Sequence, residues 1–139
     1  MSTTADQNAE EGWPAAFSTL TVPAHRDFVA TVRGLARSSA VTADLSLDDV
    51  EELQIAVDEA ATLLLPLVDP QARWLRARFD VAPGLLRTTL SLGCRAGARI
   101  DRESLAWVML TAIDPGVVVH EDDGHVSIEI VGGHPDSVG

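Results

Sequence analysis

The spacing of hydrophobic residues along the chain predicts eight secondary-structure elements in the order βααββαββ. Residues 17–22, FSTLTV, are rich in β-branched side chains and precede a proline, so they predict a first strand. From Asp27 onward, apolar residues recur at helical spacing, and a polar linker through Ser39 and Thr42 is expected to follow this helix. The predicted core face of the first helix consists of Phe28, Val29, Val32, Leu35 and Ala36.

A second helix is predicted to begin after Ser46 and to end at Pro66. Serine is a favourable N-cap because its hydroxyl accepts a hydrogen bond from a backbone N–H of the first turn. Asp48 and Asp49 follow it, where the helix dipole favours negative charge. The predicted core stripe consists of Val50, Leu53, Val57, Ala61 and Leu64.

Two hairpins and a third helix complete the pattern. Alternating apolar residues on both sides of residues 82–84, Ala-Pro-Gly, predict an antiparallel hairpin with one buried face. A second hairpin is predicted to turn at residues 121–124, with Val126, Ile128 and Ile130 pointing inward. Between the hairpins we expect a helix capped near Asp101 or Ser104. Its predicted buried face consists of Leu105, Val108, Met109, Ala112 and Ile113.

Together these elements predict an α/β protein built as a two-layer sandwich, with helices on one face of a mostly antiparallel sheet. A chain of 139 residues has the size of one domain. We expect this domain to span residues 15–131. Residues 1–14 are expected to form a flexible acidic N-terminal tail, and residues 132–139 a flexible C-terminal tail.

The charge balance excludes several functions. The chain has 21 acidic and 10 basic residues, which gives a net charge of −11, and all ten basic residues are arginine. Direct binding of nucleic acid needs a basic footprint, and a P-loop or a Schiff base needs a lysine, so neither is expected. The acidic surface suits a basic protein partner, or it serves solubility alone.

The chain shows no membrane or secretion signal. No apolar run reaches the roughly 18 residues that a membrane-spanning helix requires, and the first residues lack the basic start and apolar segment of a signal peptide. The single cysteine, Cys94, fits a reducing compartment. We therefore expect a cytoplasmic protein that does not contact membranes.

Three groups of reactive side chains have simple explanations. The cluster from His120 to His125 flanks a predicted turn, and Asp-Asp-Gly is ordinary turn chemistry, so a solvated turn explains it better than a metal site. Cys94 has no evident histidine partner and is predicted to be a buried structural thiol. Residues 93–99, GCRAGAR, with Arg102 nearby, suit an anion, but they lack G-x-G spacing. No metal site is predicted.

The second helix offers a more informative pair of positions. Residues 59 and 63 lie one above the other on a helix, four residues apart. A glutamate base at the first position and an oxygen ligand for Mg²⁺ at the second would form a compact phosphoryl-transfer site. Because position 63 is leucine, the second half of such a site is absent. The alternative is that Asp58 and Glu59 simply lie at the solvent-exposed edge of the helix.

Three stretches resemble the anti-sigma-factor serine kinases of the RsbW type, which have the Bergerat, or GHKL, ATP-binding fold. They are PAHRDFVATVR (23–33), DDVEELQIAVDEAATLLL (48–65) and SLAWVMLTAIDPGVVV (104–119). The segment IAVDEAAT looks like the N-box of that family, in which a glutamate is followed four residues later by an asparagine. The resemblance spans residues 17 to 131 and implies a GHKL-like domain.

The same resemblance implies a degenerate nucleotide site. Glu59 matches the family's catalytic base, but Leu63 aligns with the asparagine that binds Mg²⁺. Cys94 stands near the place of the aspartate that reads adenine. Ser104 and Ala106 replace glycines that wrap the phosphates, and the residues between Cys94 and Ser104 are too few for the usual ATP lid. We therefore expect no bound cofactor.

The resemblance implies an anti-sigma factor, a bacterial stress-response regulator that sequesters an alternative sigma factor and is released by an anti-anti-sigma (STAS) protein. Arg33 matches a family arginine on the first helix that contacts the sigma factor. We expect Arg33, Arg37 and Arg26 to bind the partner, because arginine makes bidentate bonds to carboxylates, although a solvated helix arginine would look the same in sequence. The resemblance also implies a homodimer.

Two alternatives remain open from the sequence. The first is an active serine/threonine kinase that uses ATP and magnesium to phosphorylate a STAS protein. Glu59 would then be its base, and Arg95, Arg99 or Arg102 would contact the phosphates. The second is an adaptor that binds regulatory proteins only and ignores sigma factors.

Overall fold

The computed structural model describes residues 16–133, which form three helices and one five-stranded antiparallel sheet. The strands are β1 (Phe17–Pro23), β2 (Trp74–Ala82), β3 (Leu85–Gly93), β4 (Val118–Asp122) and β5 (His125–Gly133), and the helices are α1 (Val29–Thr42), α2 (Leu47–Leu64) and α3 (Leu105–Ile113). The order along the chain is the predicted one, βααββαββ. Strand β5 continues two residues past the predicted domain boundary at 131. The remaining tail predictions, 1–14 and 134–139, lie outside the described residues.

The sheet has the strand order β1-β2-β3-β5-β4, and its two faces differ in chemistry. On the inner face, Phe79 pairs with Thr88, which pairs with Ile130, and all three side chains are buried. Alternate residues on these strands share one buried hydrophobic cluster with residues of α1, α2 and α3. The alternation predicted for both hairpins is therefore confirmed, and the helices form the second layer of a sandwich.

The outer face of the sheet is polar and contains a buried charge cluster. The carboxylate of Asp80 is 1% exposed and lies 3.0 Å from Arg78 Nη2 and 3.3 Å from Arg87 Nε. The Arg78 guanidinium also stacks 4.0 Å from the ring centre of Phe17. A buried carboxylate requires such partners because an unpaired buried charge is strongly destabilising. This cluster fastens β1, β2 and β3 together on the side away from the helices.

Helix α1 differs from its prediction at both ends. It begins at Val29, after a 3₁₀ turn at Arg26–Phe28, and Phe28 is exposed rather than in the core. The helix also continues through Ser39 to Thr42, so the predicted polar linker there is wrong. The reason is that Ser39 is small enough to pack against the core, where it is buried, and its polar character does not end the helix.

The true end of α1 is set by backbone geometry. Asp44 adopts a left-handed conformation with φ 63°. The N–H of Leu45 donates to the carbonyl of Ala40, and the N–H of Asp44 donates to that of Val41, both at 3.0 Å. This pair of bonds is the Schellman motif, which satisfies carbonyls at a helix C-terminus. It reverses the chain, so α2 runs back along α1.

Helix α3 buries a different face from the one predicted. Leu110 is fully buried and Ala106 nearly so, with Trp107 and Ile113 packed partly against the core. The predicted core residues Leu105, Val108, Met109 and Ala112 are exposed. The prediction failed because the helix sequence, LAWVMLTAI, has no charged residue to mark a solvent side, so its periodicity cannot select a face.

Candidate functional site

Helix α2 has the local chemistry that its sequence predicts. The Ser46 hydroxyl accepts a hydrogen bond from the N–H of Asp49 at 3.1 Å and caps the helix. All five residues of the predicted core stripe are buried. Asp58 and Glu59 are both partly exposed, which places them at the edge of the helix, as the simpler interpretation expected.

The predicted partner-binding arginines lie along the contact between α1 and α2. Arg33 Nη1 is 2.6 Å from Asp58 Oδ1, and Arg37 Nη1 donates to Gln54 Oε1 at 3.4 Å. Arg26 lines a crevice of about 200 Å³ together with Asp58. The structure therefore gathers two of the three predicted arginines around one carboxylate.

The ion pair between Arg33 and Asp58 is open to solvent. Their side chains are 36% and 44% exposed. A pair this exposed contributes at most about 1 kcal/mol, because water screens it and both side chains lose freedom. Arg33 can therefore exchange Asp58 for a carboxylate of another molecule at little cost.

The positions expected to hold a nucleotide are packed with side chains. Leu63 is 5% exposed, Cys94 is 4% exposed and Ala106 is 8% exposed, and all three belong to the buried hydrophobic cluster. Helix α2 packs directly against α3. The metal-binding position of the N-box pattern is thus part of the core in this chain, and Cys94 is the buried thiol that the sequence predicted.

The segment that joins β3 to α3, residues 94–104, directs its backbone donors into the protein itself. The N–H of Ile100 donates to Glu121 Oε2 at 2.8 Å, and that of Glu103 donates to Asp101 Oδ1 at 3.0 Å. Ser104 caps α3, because its hydroxyl accepts from the N–H of Trp107 at 3.2 Å. These three N–H groups are therefore already satisfied without a phosphate.

Two of the three arginines considered for phosphate binding are occupied. Arg95 Nη1 donates to the carbonyl of Pro66 at 2.7 Å, and Arg102 Nη2 donates to Glu121 Oε1 at 2.9 Å. Arg99 is exposed and lines a crevice of about 240 Å³ with Arg95. The same crevice is lined by three carboxylates, those of Glu121, Asp122 and Asp123, which repel a phosphate.

Sequence reasoning missed the role of Glu121. The sequence predicts a solvated turn for Glu121, but its side chain is only 13% exposed and fastens the 94–104 segment to β4. The hydrogen bond from Arg102 is the main cause that holds the pKa of Glu121 below its usual value; burial opposes this shift, and the Ile100 N–H supports it. No sequence signal could have found this contact, because its partners lie about twenty residues away.

The histidines of that cluster do not form a metal site. His120 Nε2 lies 2.7 Å from Glu129 Oε2 on the neighbouring strand, and His125 lines a separate cavity next to Trp74. Among residues 16–133, no group of histidine, cysteine and carboxylate side chains could hold a metal ion. A cavity of about 530 Å³ on the outer sheet face, next to Trp74 and Arg76, contains none of the predicted site residues.

A five-stranded antiparallel sheet covered by three helices on one face defines this chain as a two-layer α/β protein. No protein-family model matches it, and no curated protein matches it. Its fold is similar to the crystal structure of the RsbU and RsbW domains of Rv1364c from Mycobacterium tuberculosis, with a TM-score of 0.65 and 14% sequence identity. The match covers 88% of this chain and 34% of that one, so the chain spans about a third of that structure's length.

At this identity the similarity shows the fold alone. It supports the RsbW-like fold that the sequence resemblance implied. None of the helices within the described residues combines the length and the apolar content needed to cross a bilayer.

Proposed function

We propose that this protein is an anti-sigma factor that sequesters an alternative sigma factor through protein contacts, is released by an anti-anti-sigma (STAS) partner, and has lost ATP binding. The RsbW-like fold is consistent with a role in a partner-switching system. The observation that carries the proposal is the burial of Leu63 in the core at the position where the family has its metal ligand.

The energetics favour loss of the nucleotide. Micromolar binding of ATP corresponds to only about 8 kcal/mol. Each missing polar contact costs about 1–3 kcal/mol, and the chain lacks the metal ligand, the adenine acceptor and the glycines of the phosphate loop. The loss of three such contacts removes about 3–9 kcal/mol, which is comparable to that total.

The surface proposed for the sigma factor is formed by Arg26, Arg33 and Arg37. Arg33 and Arg37 lie one turn apart on α1, and Arg26 lies in the 3₁₀ turn that precedes this helix. Because the pair of Arg33 with Asp58 is weak, a partner carboxylate can take the place of Asp58. The homodimer and the sigma and STAS partners are part of this proposal.

Calorimetric titration with purified alternative sigma factors tests it. We expect one sigma factor to bind, and Arg33→Ala to weaken that binding by about tenfold or more, the loss expected for a charge-assisted hydrogen bond at an interface. Arg76→Ala is the matched control, because Arg76 is also exposed but lies on the outer sheet face. If every sigma factor fails to bind, or if both variants bind like the wild type, the proposal is wrong.

A second candidate is an active kinase, which one observation favours. Glu59 is partly exposed on α2, so its carboxylate remains available as a base. Calorimetry with Mg-ATP, followed by an assay of phosphate transfer to a STAS protein, distinguishes the two functions. The kinase would be established if the protein binds ATP in a magnesium-dependent way and transfers phosphate to the STAS protein. In that case Glu59→Gln should leave ATP binding intact and abolish phosphate transfer.

A further inference from the structure

Helix α3 exposes a continuous apolar surface. Leu105, Val108 and Met109 are 73%, 56% and 40% exposed, and Ala112 is exposed as well. These four residues stand at positions i, i+3, i+4 and i+7, so they are neighbours on one side of the helix. We call them the apolar face of α3.

This face is unusual for a helix at the surface. The opposite side of α3 packs into the core through Leu110, and the helix sequence contains no charged residue at all. A helix that is apolar on every side is normally covered on every side. Contiguous exposed apolar side chains on a folded domain mark an interaction surface.

The charges beside this face indicate what covers it. Helix α2, which packs against α3, carries six carboxylates and no basic side chain. Two of them, Asp49 and Glu52, line a crevice together with Ile113 at the C-terminal end of α3. The carbonyl groups at that helix end add partial negative charge. Arg102 stacks on Trp107 near the other end of the helix, so negative potential borders the C-terminal end of the apolar face.

We propose that the apolar face of α3 binds an amphipathic helix of a partner protein, which presents apolar side chains to Leu105, Val108 and Met109 and basic side chains to the carboxylates of α2. Two other occupants fit less well than a basic segment. A second copy of this chain would bring two acidic borders together. The first 15 residues of the chain contain three acidic and no basic side chains. The proposal does not rest on the anti-sigma function, because α1 carries that surface.

A designed peptide provides the probe. It is a fluorescently labelled amphipathic helix with leucines at i, i+3, i+4 and i+7 and lysines beside them, and its matched control has the same leucines with glutamates in place of the lysines. In anisotropy titrations against the full chain, we expect the lysine peptide to bind about tenfold tighter or more at low salt. The difference in affinity between the two peptides should shrink as the salt concentration increases.

Variants of the chain locate the binding surface. The double variant Leu105→Gln/Met109→Gln should weaken lysine-peptide binding about tenfold or more, since it removes the two ends of the apolar face. Its melting temperature should stay at the wild-type value, because both side chains are exposed. Val41→Gln is the matched control, since Val41 is 62% exposed on α1. Glu52→Gln should reduce the salt dependence of lysine-peptide binding, because it removes one of the carboxylates at the end of α3.

Other outcomes overturn the proposal. The face is not a docking site for a basic helix if neither peptide binds or if both peptides bind equally well. The same conclusion follows if the double variant binds the lysine peptide as tightly as the wild type does. A wild-type dimer that the double variant converts to a monomer, measured by light scattering, would assign the face to a second copy. A large drop in melting temperature of the double variant would show that the chain covers the face itself.

Discussion

Placing at position 63 the asparagine of the resembled N-box tests whether this position is packed as core. In Leu63→Asn, the lost burial of the leucine side chain costs about 1.5–3 kcal/mol. Leu63 is 5% exposed, so an amide there has no water, and leaving it without a partner costs about 1–3 kcal/mol more. We expect the free energy of unfolding to fall by roughly 3–5 kcal/mol, a large part of the total for a domain of this size.

Urea unfolding followed by circular dichroism measures this loss, and calorimetry with Mg-ATP should detect no binding. Ile55→Asn is the matched control, because Ile55 is an apolar residue on the same helix that is 44% exposed. It should change stability by about 0.5 kcal/mol or less. If Leu63→Asn is as stable as the wild type, or if it gains magnesium-dependent ATP binding, then position 63 is not packed as we describe.

Three further variants test other parts of the structure. Glu121→Gln should lower stability by about 1 kcal/mol at neutral pH. The pKa of Glu121 is lowered in the folded state, so the extra stability of the wild type is fully present above the ordinary glutamate pKa. This extra stability disappears as the pH falls through the pKa of the folded state. Urea unfolding at a series of pH values measures the change. Thr88→Val should raise stability by about 1 kcal/mol in urea unfolding, since the buried Thr88 hydroxyl has no hydrogen-bond partner in the described part of the chain. Asp80→Asn should cost about 3 kcal/mol in the same assay, because it removes the negative charge between two largely buried arginines.

Each of these expectations has an outcome that contradicts it. A stability difference for Glu121→Gln that does not change with pH would mean that its carboxylate charge is not what fastens the 94–104 segment. A loss of stability in Thr88→Val would mean that the hydroxyl has a partner. Asp123→Asn, in the exposed turn between β4 and β5, is the control for Asp80→Asn, and equal effects of the two would contradict the buried cluster.

The sequence predicted the elements well wherever one face of an element is polar. Apolar and polar residues alternate along strands β2, β3 and β5, and α2 combines an acidic surface with an apolar stripe. In each of these elements the spacing of apolar residues predicts both the type of element and the face that is buried. The predictions failed where this contrast is missing. Helix α3 has no polar side that would identify its solvent-facing surface. In α1 a small serine, Ser39, lies in the core, whereas the spacing of hydrophobic residues predicts that a serine is exposed.

The sequence predicted the burial of Leu63 and Cys94 but not the contacts of the candidate site. The leucine at position 63, which has no oxygen to offer Mg²⁺, can be read from the sequence because one position in a helical pattern carries that information. The pairing of Arg33 with Asp58 and of Glu121 with Ile100 joins residues more than twenty positions apart, which only the folded sheet and helices bring together. Spacing along a chain contains no record of such contacts.

The burial of Leu63 and the fastened 94–104 segment are two separate observations that support the proposed loss of the nucleotide site. In this chain Leu63 and Ala106 both belong to the buried hydrophobic cluster, and Glu121 accepts hydrogen bonds from Ile100 and Arg102. We therefore expect that reverting a single residue does not confer nucleotide binding, because the other buried side chains stay in place. The arginines of α1 lie outside this packed region, so a regulatory surface there can operate without any nucleotide.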